Sequence, residues 1–107
     1  MIIMIISTTD YIAGRKVKET LGLVKGNIVK ARWFGRDIMA TIKNFIGGEI
    51  KSYSDLLTSA REEAVNRMKA EAKKLKADAV INVRFATSDV MQGSAEILAY
   101  GTAVKLK

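Results

Sequence analysis

The sequence has no cysteine, no histidine and no proline. Without cysteine there is no disulfide framework, and nothing points to an oxidising compartment. No thiolate is available to ligate a soft metal or to attack a carbonyl. Without imidazole, the commonest transition-metal ligand and the usual neutral-pH base are missing as well. Neither an enzyme built on a nucleophile and base, nor a metal ligand set, nor a bound cofactor is expected. No proline-rich linker, internal repeat or low-complexity segment divides the chain. The apolar start, Ile2 to Ile6, is too short for a signal peptide and lacks a basic leader. No apolar run approaches the roughly 20 residues of a membrane span. The expected location is the cytoplasm, with no membrane partner.

What is present fits an ordinary globular chain. Its 107 residues are 49% hydrophobic and 27% charged, which predicts one domain over residues 1–107 with a modest core. The net charge is +7, and it is unevenly spread. Residues 1–48 carry eight basic and three acidic side chains, 8 − 3 = +5. Residues 49–76 carry seven and five, +2, and residues 77–107 carry three of each. A basic N-terminal half attracts anions, so weak nucleic-acid or small-anion binding is an alternative function. Lys30, Arg32, Trp33, Phe34 and Arg36 mix cations with aromatics, but alternation turns Trp33 away from Lys30 and Arg32. No nucleic-acid motif or glycine-rich phosphate loop accompanies them, so nucleic acid is not the expected partner.

Hydrophobic periodicity predicts an α+β fold, with an antiparallel sheet packed on one long and one short helix. A strand is expected over residues 2–6 and two more near 15–24 and 27–34, with Gly26-Asn27 as a tight hairpin turn. Ile38, Met39, Ile42, Phe45 and Ile46 recur at helical spacing, giving a short helix over 36–46 that Gly47-Gly48 ends. A long helix is expected from Tyr53 to Lys76, with Tyr53, Leu56, Leu57, Ala60, Ala64, Met68, Ala72 and Leu75 as its apolar stripe. At roughly 36 Å it would cross a globule about 34 Å wide. Ala79, Ile81, Val83 and Phe85 alternate with polar or smaller neighbours as one strand, and Gln92-Gly93 marks the hairpin to the last strand.

In that last strand Leu98, Tyr100, Thr102, Val104 and Leu106 form one face. Ile97, Ala99, Gly101 and Ala103 form the other, and both are apolar or small. A strand apolar on both sides needs cover on both sides. Helices on one side leave the other for a second copy, so Ile97, Ala99 and Ala103 are expected at an oligomer interface.

The polar candidates are few. Arg36 and Arg61 can grip an anionic ligand as forks, and Tyr53 can add a hydroxyl or a stacking face. Their structural alternatives are equally concrete: Asp37 as a helix-start charge and Arg61-Glu62 as a salt bridge between helices or subunits. Thr8-Thr9-Asp10 offers hydroxyls beside a carboxylate, yet no elbow motif surrounds it, and a turn that bonds its own backbone accounts for it. Glu62 and Glu63 are sequence neighbours on a helix and do not face each other, so they form no acid–base pair.

These residues, taken in order, resemble the YbjQ family of small bacterial and archaeal proteins. The resemblance rests on Thr8-Thr9 with Gly14, Leu21-Gly22-Leu23-Val24 with Gly26, and Arg36-Asp37 with Ala40 and Ile42. Further along it rests on Gly47-Gly48, Tyr53, Ala60-Arg61-Glu62-Glu63-Ala64, Ala77-Asp78-Ala79-Val80 and Tyr100-Gly101-Thr102-Ala103-Val104. It covers nearly the whole chain. It implies a dodecin-like subunit in a ring, a homopentamer, and brings a heavy-metal-binding description that sits badly with a chain lacking thiolate and imidazole. The family has no settled biochemical function, so no catalytic residue carries over. Lys76 stands where the family often has a helix-capping glycine, so the left-handed cap is expected to be absent or shifted. Met4 stands as an alternative start.

Overall fold

The structure, a computed structural model, describes residues 4–30, 48–91 and 94–107. The expected strand beyond Lys30, the short helix over 36–46 and the Gln92-Gly93 pair fall outside the described residues. Within them lie four strands, β1 (Ile5–Ile6), β2 (Val17–Lys30), β3 (Ala79–Met91) and β4 (Ser94–Leu106), and one helix, α1 (Gly48–Lys74). The sheet runs β1-β3-β4-β2. It is mixed rather than antiparallel, because β1 pairs with β3 in parallel while β2–β4 and β3–β4 are antiparallel.

α1 presents Ala60, Ala64, Met68 and Ala72, four residues apart on one stripe and all fully buried. Spacing by four keeps them on a single face, and three alanines let the helix come close to the sheet. The sheet answers with Val24 and Ile28 of β2, Ile97, Ala99 and Ala103 of β4, and Val80 and Val83 of β3. Met68 is the largest side chain in this layer with no exposure, a flexible filler between small neighbours.

Gly26 is the point of closest approach, and it corrects the expected hairpin. β2 runs unbroken through Gly26-Asn27, with Gly26 paired to Ala99 and Asn27 to Leu98. A Cβ at Gly26 would fall on the Ala64 carbonyl oxygen and the Met68 amide nitrogen, and 2.7 Å from Arg67 Cβ. Glycine is there so that a helix backbone can lie on a strand, not so that the chain can turn. The same helix closes part of the free β2 edge: the Lys25 N–H donates to Glu71 Oε1 at 3.2 Å, and Arg67 Nη1 donates to the Asn27 carbonyl at 2.9 Å. An edge whose polar groups are capped is a poorer template for stray strands.

Other expectations also change. α1 begins at Gly48, five residues before the expected Tyr53, and the helix stops at Lys74. Leu75, counted on the apolar stripe, lies past the last turn and is 43% exposed. The cap is neither absent nor shifted: Lys76 itself takes the left-handed conformation, φ 62°. The Lys76 N–H bonds the Lys73 carbonyl at 2.9 Å and the Ala77 N–H bonds the Ala72 carbonyl at 3.1 Å. That crossed pair is a Schellman motif, made here by a lysine in the place that favours glycine.

The alternation expected through Ala79, Ile81, Val83 and Phe85 breaks at Asn82. Ile81 pairs with Thr102 but Arg84 with Tyr100, so β3 spends three residues against two of β4. Asn82 has φ 54°, a conformation asparagine tolerates better than most side chains. Its N–H donates to the Thr9 carbonyl, and the Val83 N–H to the Ser7 carbonyl, each at 2.9 Å. Beyond this bulge the side chains change sides. Ala79 and Ile81 join Val104 and Leu106 in a second cluster on the far face, covered by Ile5 and Ile12, whereas Val83 and Phe85 turn toward α1.

Ile97, Ala99 and Ala103, expected between subunits, are core. α1 of the same chain covers them, and Ala99 and Ala103 have no exposure. The chain is also longer than a compact one. Its radius of gyration is 16.9 Å and its longest extent 54 Å, against about 13 Å for the radius of a compact chain of this length. Long strands and a 27-residue helix set that length, and they stack in only two layers.

Candidate functional site

The outer flank of α1, next to its buried stripe, carries Thr58, Arg61, Glu62, Val65, Asn66 and Lys69. Steps of three and four residues put them on one ridge. Phe85 of β3 faces this ridge because the Asn82 bulge turned it there, and half of it is exposed. Together they line an open groove of about 440 Å³. The floor, Phe85 and half-buried Val65, is apolar. The rim holds two cations, one carboxylate, a hydroxyl and an amide. Arg61 Nη2 reaches Thr58 Oγ1 at 3.4 Å, a long contact that leaves most of its fork available.

This arrangement suits binding better than bond-breaking. A guanidinium beside an apolar ring can hold a small amphipathic anion, with the charge on Arg61 and the body on Phe85. Thr58 is the hydroxyl of the groove, and the partner it meets is the Arg61 guanidinium, a donor that cannot take its proton.

The expected site residues scatter. Arg61 and Glu62 come together in the groove. Among the described residues the ion pair on α1 is Arg67–Glu63, 3.1 Å and solvent-exposed, rather than one made by Arg61 or Glu62. Thr8 and Thr9 lie in the loop after β1. Thr9 Oγ1 donates to the Tyr11 carbonyl at 2.6 Å and the Thr9 N–H donates to Ser7 Oγ at 3.0 Å, while the Thr8 carbonyl accepts from Arg84 Nη1 at 2.8 Å. They brace the bulge as a self-bonded turn. Tyr53 belongs to the first turns of α1, and its side chain, like Arg36 and Asp37, lies outside what is described. Thr58, Val65, Asn66, Lys69 and Phe85 escaped sequence reasoning. The helix ridge was open to it, since it flanks the apolar stripe by one position, but Phe85 depended on a bulge.

Metal ligands do not gather. Among the described residues no three of His, Cys, Asp and Glu come together, and the sequence has neither of the first two. Asp78 is engaged instead as a backbone acceptor, its Oδ2 receiving the Leu106 N–H at 2.8 Å. No described helix is long and apolar enough to cross a membrane.

Comparison with known proteins gives a consistent family. A family model described as "Putative heavy-metal-binding", YbjQ, matches residues 4–107. Proteins with the name UPF0145 protein are similar along their whole length. One from Archaeoglobus fulgidus is 58% identical over 104 residues, spanning 97% of this chain and 96% of that one. One from Thermotoga maritima is 57% identical, spanning 97% and 98%, and one from Methanosarcina acetivorans is 55% identical, spanning 96% and 97%. The fold is similar to a crystal structure of a protein of unknown function from the DUF74 family of Pediococcus pentosaceus, with a TM-score of 0.61 at 19% identity over 97% of this chain and 98% of that one.

Proposed function

The chain belongs to the YbjQ family, and from that premise we propose that it is the subunit of a cytoplasmic homo-oligomer, a pentameric ring, that binds or scaffolds rather than catalyses. Its ligand site is then the Arg61–Phe85 groove, completed at the junction of two subunits, as such pockets often are.

The observation that carries the reading is the uncovered half of the sheet. Among the described residues, α1 lies over one face, and the N-terminal segment covers the other around Ala79, Ile81, Val104 and Leu106. Farther along, Leu23 is 66% and Val29 55% exposed, and Leu98 and Tyr100 beside them are partly exposed. Strand pairing puts these four on the same face, with Leu23 opposite Thr102 and Val29 opposite Glu96. Large β-branched and aliphatic side chains on a broad open sheet are the usual surface of self-association.

Light scattering on a sizing column tests it. The expected mass is five times the 11.8 kDa of one chain, and a single-chain mass at micromolar concentration rejects it. Leu23→Lys with Val29→Lys is expected to lower the mass to one chain while the helix signal in circular dichroism stays.

The family's heavy-metal description is a weaker second reading. Soft metals select thiolate and imidazole, which this sequence lacks, and the described carboxylates do not cluster. The residues do not fit such an ion. Calorimetry with zinc and copper, after chelation, is expected to give a flat trace; saturable binding would reverse this.

A further inference from the structure

The charge of the chain is more concentrated in space than along the sequence. Lys107 bonds the Lys16 carbonyl through its N–H, and Arg15 Nε donates to the Lys107 carbonyl, both at 2.9 Å. Val17 pairs with Leu106 and Glu19 with Lys105. Asp78, just past the helix, gives its N–H to the Val104 carbonyl at 2.9 Å. The start of β2, the end of β4 and the end of α1 therefore meet at one pole of the long molecule. There they gather Arg15, Lys16, Lys18, Lys105 and Lys107 from the strands and Lys73, Lys74 and Lys76 from the helix end. Asp10, Glu19, Glu71 and Asp78 are the acidic residues of this region, so 8 − 4 = +4 of the total +7 sits at one end. Glu96, which balances these lysines in sequence, lies far along β4, accepting a bond from Asn27 Nδ2 at 3.0 Å.

Two aliphatic side chains of this cluster are partly exposed. Leu75, 43% exposed at the end of α1, is bracketed by Lys73, Lys74 and Lys76; Val17, 37% exposed between Lys16 and Lys18, pairs with Leu106 on the opposite face of the sheet. Strand alternation puts Lys105 on the face that carries α1, on the side of Ala103. We infer that this pole docks on an anionic lipid surface, with lysine heads on the lipid phosphates and Leu75 at the headgroup boundary.

The composition separates a membrane from a nucleic acid. Phosphate tracks on nucleic acid favour arginine forks and stacking aromatics. Here one cation in eight is arginine, and the exposed aromatic of this region is Tyr11, 60% exposed, whose amphipathic ring also suits a headgroup boundary. Lysine stems flanking exposed aliphatics are the pattern of an interfacial surface, where the stem lies along apolar material and the ammonium reaches the headgroups. The pole is a property of one protomer and does not depend on the ring. In a cyclic ring, equivalent poles that share one side would add their affinities.

Co-sedimentation with vesicles tests the inference. The full chain is expected to pellet with vesicles of equal parts phosphatidylcholine and phosphatidylglycerol at low salt, and to be released at high salt. Each lysine lost should weaken binding about fivefold. Lys73→Gln with Lys74→Gln, and separately Lys105→Gln with Lys107→Gln, should therefore each lower it about 25-fold. Lys25→Gln, away from the pole, should bind as the parent does, and circular dichroism checks that every variant is folded. Leu75→Ser should weaken binding without changing its salt dependence. The inference is overturned if the parent pellets equally with pure phosphatidylcholine, or with neither vesicle. It is also overturned if folded double variants bind like the parent, or if an oligonucleotide displaces the protein from vesicles and is bound in their place.

Discussion

The two faces of β4 are both apolar in sequence and opposite in role. Toward α1 the strand presents Ile97, Ala99, Gly101 and Ala103; away from it stand Leu98, Tyr100 and Thr102. Ala99, Gly101 and Ala103 are small and buried, because a helix rich in alanine can settle closely only where there is no bulk, and Ile97 alone is large on that side. The larger ones remain half-exposed. Size sorted the faces. Where a helix of the same chain packs closely, side chains shrink to Ala and Gly, and where they stay large on an open sheet another body is needed to cover them.

The largest test of that contrast is Gly26→Ala. One methyl group placed against the backbone of α1 should cost about 3 kcal/mol or more, since neither helix nor strand can yield without dragging the other. Urea denaturation measures it. A change of under about 0.5 kcal/mol would show that the helix rides higher than the contact requires. Next in size is Lys76→Gly, which should stabilise by about 1 kcal/mol by relieving a left-handed lysine. A loss of stability in the same denaturation would mean that the Lys76 side chain contributes more than its backbone costs. Smallest is Glu63→Gln on the outer side of α1. Its exposed partner Arg67 keeps the bond to the Asn27 carbonyl, so the expected loss is under about 0.5 kcal/mol.

Much of the fold was legible because it obeys short-range periodicity. The stripe Ala60, Ala64, Met68 and Ala72, the strands on either side of residues 92 and 93, and the buried run of β4 all follow spacings of 3.6 or two residues. Gly26-Asn27 misled because the same two letters serve a turn or a contact, and only the helix above them distinguishes the two. The start of α1 was set too late, because Gly48, a poor helix former, lies inside it. The groove was half legible: Arg61 and Glu62 stood out as a charged pair, but their apolar neighbour Phe85 arrives through the bulge at Asn82, which no alternation pattern announces.

The absence of thiol and imidazole, the apolar stripe of α1 and the double apolar character of β4 belong to the sequence alone, since composition and period need no partner. Tertiary structure decided which face of β4 is core, which side of β3 carries Phe85, and that lysines from residues 16–18, 73–76 and 105–107 share one pole. Those outcomes depend on strand register, and register is set by bulges and by a glycine's missing side chain, where distant segments meet.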